Sequence, residues 1–137
     1  MIRPKGLSVN SPRLARFTNA VLTELVERPD AVGLALLSDP EIQEFNRRYR
    51  GSDWPTDVLS FPAGAAAIDG ENYLGDIVIG LGVARRQARA RRHPLHNELC
   101  RLLLHGLLHL LGYDHETDAG QMAALERSLW RRLRKSR

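Results

Sequence analysis

Three histidines fall within eleven positions of one leucine-rich stretch, HGLLHLLGYDH (residues 105–115). Burying an imidazole in such a segment without a partner costs free energy, so the question is what the rings bind. On an α-helix, His105 and His109 are four residues apart, so their rings leave one face about a turn apart and can converge on one ion. Gly112 comes three residues later, where a left-handed residue would end the helix and turn the chain back. His115 then lies on the returning segment, placed to complete a set of three. Any one of these histidines alone would read as a helix-face residue meeting a hydrogen-bond partner; three at ligand spacing, closed by a glycine, read as a zinc site. Cys100 lies about 140° round the helix from His105, which leaves no evident fourth protein ligand. Three histidines and an open position describe a catalytic centre, where a bound water's pKa falls to about 7.

The spacing H-x-x-x-H-x-x-G-x-x-H is that of the metzincin zinc proteases, but the glutamate that follows their first histidine is replaced here by Gly106. That glutamate is the general base of peptide hydrolysis, so a peptidase would lack its proton acceptor. Phosphodiester chemistry makes a different demand. It builds negative charge on a crowded centre and needs an activated nucleophile plus cations to meet that charge. Arg50, at the end of DPEIQEFNRRYRG (residues 39–51), could supply two parallel N–H contacts to phosphate oxygens. Equally, Arg50 could be a solvated helix terminus favoured by the macrodipole, as Arg47 and Arg48 could.

Other polar residues carry weaker signals. Asp114, beside His115, is either a proton relay or a turn former, and Asp57 and Asp76 either orient a histidine or bond the local backbone. His93 and His96 read as surface residues at a helix start, with Glu98 favouring that helix's N-terminus. Arg85, Arg86, Arg89, Arg91 and Arg92, together with the acid-free end RSLWRRLRKSR, could follow an RNA backbone or simply be solvated helix faces. Trp54 and Tyr73, placed in loops, could stack on unpaired bases, whereas Trp130 reads as core.

The elements that must hold these groups alternate along the chain. With 137 residues, 43% of them hydrophobic, the chain is long enough for one domain (1–137) with a core. GLSV (6–9) reads as an edge strand, SPRLARFTNAVLTELVERP (11–29) as a capped amphipathic helix, and VGLALLS (32–38) as a buried strand. The helix over 39–51, with Ile42, Phe45 and Tyr49 inward, is followed by strands in TDVLSF and GDIVIG. Beyond them come an Arg-rich helix to about Arg92, a very apolar one from about Pro94 to Leu111, and a last one from about Asp118 to Arg134. The fold class expected is α+β: a small mixed sheet of about four strands packed with helices, the apolar metal-binding helix central.

A formal charge of +4, with 20 basic residues of which only two are lysine, favours planar recognition of phosphate or carboxylate. The lone Cys100 excludes an internal disulfide. No apolar core of signal-peptide length opens the chain, and the leucine run is too short and too interrupted by histidine to span a bilayer. A cytoplasmic protein without a membrane partner is expected.

HGLLHLLGYDH, preceded by TDVLSFP (56–62) and GDIVI (75–79), resembles the YbeY family of zinc-dependent endoribonucleases, and the likeness runs from about Leu7 to Trp130. In one respect the chain departs from the family: the helix after GDIVI is more basic and lacks a terminal glycine. The resemblance implies a single-strand-specific RNA hydrolase acting near the 3′ end of small-subunit ribosomal RNA and in ribosome quality control. It implies one zinc held by His105, His109 and His115, with Arg50 needed for activity, and ribosomal RNA and the small ribosomal subunit as partners. A peptide or amide hydrolase and a ribosome-associated module with a purely structural zinc remain as alternatives.

Overall fold

The computed structural model describes residues 11–25, 31–63, 73–114 and 116–137. Within them the chain runs α1 (Pro12–Leu25), β1 (Ala31–Leu37), α2 (Asp39–Arg50), β2 (Val58–Pro62), β3 (Tyr73–Gly80), α3 (Leu81–Arg91), α4 (Leu95–Leu110) and α5 (Gln121–Arg132), ending in a 3-10 turn (Arg134–Ser136). The α+β expectation holds, with five helices and a sheet of three strands rather than about four among the described residues. The edge strand expected at 6–9, and His115, lie outside the described residues.

The strand order is β1-β3-β2, with β1 parallel and β2 antiparallel to β3. Period-two alternation gives the sheet two faces. In register, Leu34, Ile77 and Ser60 form a row turned to α4, while Ala35, Val78 and Leu59 form a row turned to Ile42 of α2. Helix α4 is apolar almost all round because it is enclosed by β2, β3, α1, α3 and α5. From Leu99 to Leu110 every residue is buried except Arg101, His105 and His109, which recur every four positions as one half-buried stripe.

Local chemistry sets the ends of these elements. A capping box starts α2: the Glu41 amide donates to the Ser38 hydroxyl and the Ser38 amide to the Glu41 carboxylate. Helix α3 ends on Arg92, which itself adopts the left-handed conformation (φ 55°) for which a glycine is usual. Helix α5 starts at Gln121 rather than near Asp118, because Gly120 is left-handed (φ 98°) and Asp118 accepts from the amides of Gly120 and Met122. No helix among the described residues is long and apolar enough to cross a membrane.

Candidate metal and phosphate site

Helix α4 ends in a Schellman turn: the Tyr113 amide donates to the Leu108 carbonyl at 3.0 Å and the Gly112 amide to the His109 carbonyl at 3.0 Å, with Gly112 at φ 97°. That reversal carries the chain back along the helix end, so Asp114 and Glu116 face the same cavity as the two histidines. The cavity, of about 730 Å³, is lined from the other side by β2 and by Tyr49 and Arg50 of α2.

His105 Nε2 and His109 Nε2 lie 3.1 Å apart, their rings crossing at 78° with centroids 4.7 Å apart. Two nitrogens each about 2.05 Å from one tetrahedral zinc are about 3.3 Å apart, so the donors suit such an ion. Among the described residues, no group of three His, Cys, Asp or Glu side chains converges, and a third ligand must come from elsewhere. Cys100 is not one: its thiol, pushed up to about 11 by burial, lies against His96 Nε2 at 3.4 Å.

Gly106 is pressed against the sheet. A Cβ there would come within 3.0 Å of Ile77 Cγ2 and 3.1 Å of Ser60 Oγ, and the Ser60 hydroxyl donates to the Gly106 carbonyl at 3.0 Å. The position where metzincins carry glutamate is thus a close packing contact, where a Cβ would require Ile77 and Ser60 to give by a few tenths of an ångström.

Arg50 differs from its neighbours. Arg47 donates to Glu44 at 2.6 Å and Arg48 lies 4.0 Å from the same carboxylate, whereas among the described residues no carboxylate pairs with Arg50, which lines the cavity. Its helix ends at Gly51 (φ 71°), and the following loop is pinned where Asn46 Nδ2 donates to the Trp54 carbonyl at 2.9 Å.

Several expectations need correction. Tyr49 is not inward: it is 42% exposed, stacks on Phe45 and meets Phe61 edge-on at the cavity wall. Trp54 is exposed but does not line the cavity, and Tyr73 is not in a loop; it opens β3 and its hydroxyl donates to Asp76. Asp76 is buried mid-strand, and Asp57 accepts from the Val58 amide and from Gln87, so both serve local structure. Asp114 accepts from the Glu116 amide at 3.0 Å, which makes it a turn former that also lines the cavity. His93 and His96 are half-buried, not surface residues, and burial lowers the His96 pKa, with Arg13 and Arg16 adding to the effect. Glu98 is wholly buried, bonded to Arg91 and His93. Trp130 packs edge-on to Phe17, as its helical spacing predicts.

Sequence reasoning missed Glu126, whose Oε1 lies 2.7 Å from His105 Nδ1. Its signal was legible: on α5 it is four residues after buried Met122 and three before buried Leu129, an acid on an inward stripe.

A family model described as "Endoribonuclease YbeY" matches residues 4–134. Two proteins described by the same words are similar along most of their length. One from Solibacter usitatus is 41% identical over 96% of this chain and 90% of its own, and one from Aquifex aeolicus is 40% identical over 85% and 77%. A solution structure of a Thermotoga maritima protein, 30% identical, superposes with a TM-score of 0.59 over 97% of this chain and 89% of that one.

Proposed function

The chain belongs to the YbeY family of endoribonucleases, and from that premise we propose that it is zinc-dependent, cuts single-stranded RNA, and acts in ribosomal RNA processing and ribosome quality control in the cytoplasm. One observation carries the reading: Arg50 at the end of α2 and His105 and His109 on α4 line one cavity although they stand far apart in sequence. His105, His109 and His115 would hold the zinc. When bound, zinc lowers the pKa of a water to about 7 and meets part of the charge that builds on the phosphorus centre.

The remaining steps belong to the protein. Arg50 places two N–H groups on non-bridging oxygens, orienting the phosphate and adding the positive charge that the crowded centre requires. Tyr49, exposed beside it and backed by Phe45, offers a ring on which an unpaired base can stack. A base inside a duplex is already stacked on its neighbours, which favours single strands as substrate. A role near the 3′ end of small-subunit ribosomal RNA, with the small subunit as partner, follows from the family resemblance.

A peptide or amide hydrolase is disfavoured because Gly106 stands where such chemistry uses a glutamate, and a glycine offers no carboxylate to take the proton. A purely structural zinc is disfavoured because His105 is 31% exposed and borders an open cavity, whereas structural sites are closed. Metal analysis of the purified protein, combined with cleavage of labelled single-stranded RNA, duplex RNA and casein, tests all three. The expected result is about one zinc per chain, cutting of the single strand alone, and loss of cutting on chelation with the fold retained. Casein hydrolysis, or unfolding on chelation in a protein that cuts no RNA when metal-loaded, would overturn the proposal.

A further inference from the structure

We propose that Glu126 is the positioning residue of this centre: through the 2.7 Å contact with Nδ1 it sets the tautomer and the ring orientation of His105 so that Nε2 is presented to the ion. The inference rests on the zinc reading above and deepens it.

A carboxylate can only accept, so the proton in this contact sits on Nδ1 of His105. A neutral imidazole has one N–H, and with Nδ1 carrying it the lone pair is on Nε2. That nitrogen is the one lying 3.1 Å from His109 Nε2, in the direction in which two ligands must converge. The second torsion of histidine is broad and roughly two-fold, so loss of the Glu126 contact removes one restraint against the ring turning over and taking Nε2 away from His109. Glu126 blocks that rotation from a rigid base, since its helix is anchored on either side by Met122 and Leu129, both buried. Two of the carboxylates that line the cavity have local tasks: Asp57 takes the Val58 amide and Gln87, and Asp114 takes the Glu116 amide. Electron density returned through the Nδ1–H bond also makes Nε2 a better donor.

The role separates from simple stability, because Glu126 is 32% exposed and its loss empties no part of the core. Three measurements on the full chain test it, using Glu126→Leu and the isosteric Glu126→Gln. Zinc affinity, by competition with a chromophoric chelator, should fall roughly 10- to 100-fold in the leucine variant. It should fall by less in the glutamine variant, whose neutral carbonyl still accepts from Nδ1–H but more weakly. In metal-free protein, ¹⁵N NMR of the imidazoles should show His105 as the Nδ1–H tautomer in the wild type and a shift toward Nε2–H in both variants. The cobalt-loaded protein should change its visible absorption bands, while the melting temperature without metal stays near wild type. If wild-type protein binds no zinc, the zinc reading fails, whatever the variants do. If it binds zinc and both variants match its affinity and its His105 tautomer, the assignment of Glu126 is overturned. Should the leucine variant not fold, the glutamine variant decides by the same criteria.

Discussion

Helix α4 carries a histidine–glutamate contact at each end, both 2.7 Å long, and the two have opposite character. At its start, Glu98 is wholly buried; His93 meets it through Nε2, and Arg91 Nη1 donates to both oxygens at 3.1 Å. The carboxylate's acceptors are filled by protein donors, and a buried charge so paired ties the α3–α4 junction together. At the other end Glu126 takes Nδ1 of His105, and Nε2 is left facing His109 and an open cavity. Identical distances therefore say little. What separates a structural pair from a candidate metal site is which ring nitrogen the carboxylate occupies and what lies before the other one.

The most severe way to break this comparison is His109→Ala. Zinc should fall well below one per chain and cleavage should drop below detection, with the circular dichroism of the fold unchanged, since His109 sits on the half-buried stripe of α4. Stoichiometric zinc in that variant, measured by elemental analysis, would mean that the open end of α4 is no metal site.

Arg50→Lys sharpens the comparison across the cavity. Lysine keeps the charge but lacks the planar fork, so single-turnover cleavage of a short single strand should slow about a hundredfold, the effect of losing roughly 2–3 kcal/mol of transition-state stabilisation. Zinc content and melting temperature should stay near wild type. A wild-type rate would return Arg50 to the part of a helix terminus; Arg47 and Arg48, occupied with Glu44, are poor substitutes.

The smallest effect is expected at the closed end. Glu98→Gln replaces a buried carboxylate by a neutral amide in front of Arg91 and His93, which should cost about 1–3 kcal/mol of stability. That corresponds to a melting midpoint lower by roughly 4–12 °C, with zinc content and cleavage per folded molecule unchanged. Loss of zinc without loss of stability would reverse the contrast between the two ends.

Much of the architecture was legible along the chain because it rests on short-range rules. Ser38 and Glu41 announce the start of α2, Gly51 and Gly112 the ends of α2 and α4, VGLALLS reads as a buried strand and GDIVIG as another strand. Errors arose where a side chain's meaning depends on another element. Tyr49 has the spacing of a core residue, yet its ring stays half open against Phe61 of β2 and becomes part of the cavity wall. Glu98 in a first turn looks like a macrodipole acid until the end of α3 folds over it with Arg91 and His93.

The pairing of His105 with His109, and the turn after them, were determined by sequence alone, since a helix of 3.6 residues per turn places i and i+4 together in any protein and a left-handed glycine ends it. The tertiary structure alone decided that Arg50 lines the same cavity, that Gly106 packs closely against Ile77 and Ser60, and that among the acids of α5 and the turn before it Glu126 reaches Nδ1. The physical reason is range: hydrogen-bonded periodicity acts over four residues, whereas these contacts exist only because buried leucines hold α4 between the sheet and α5.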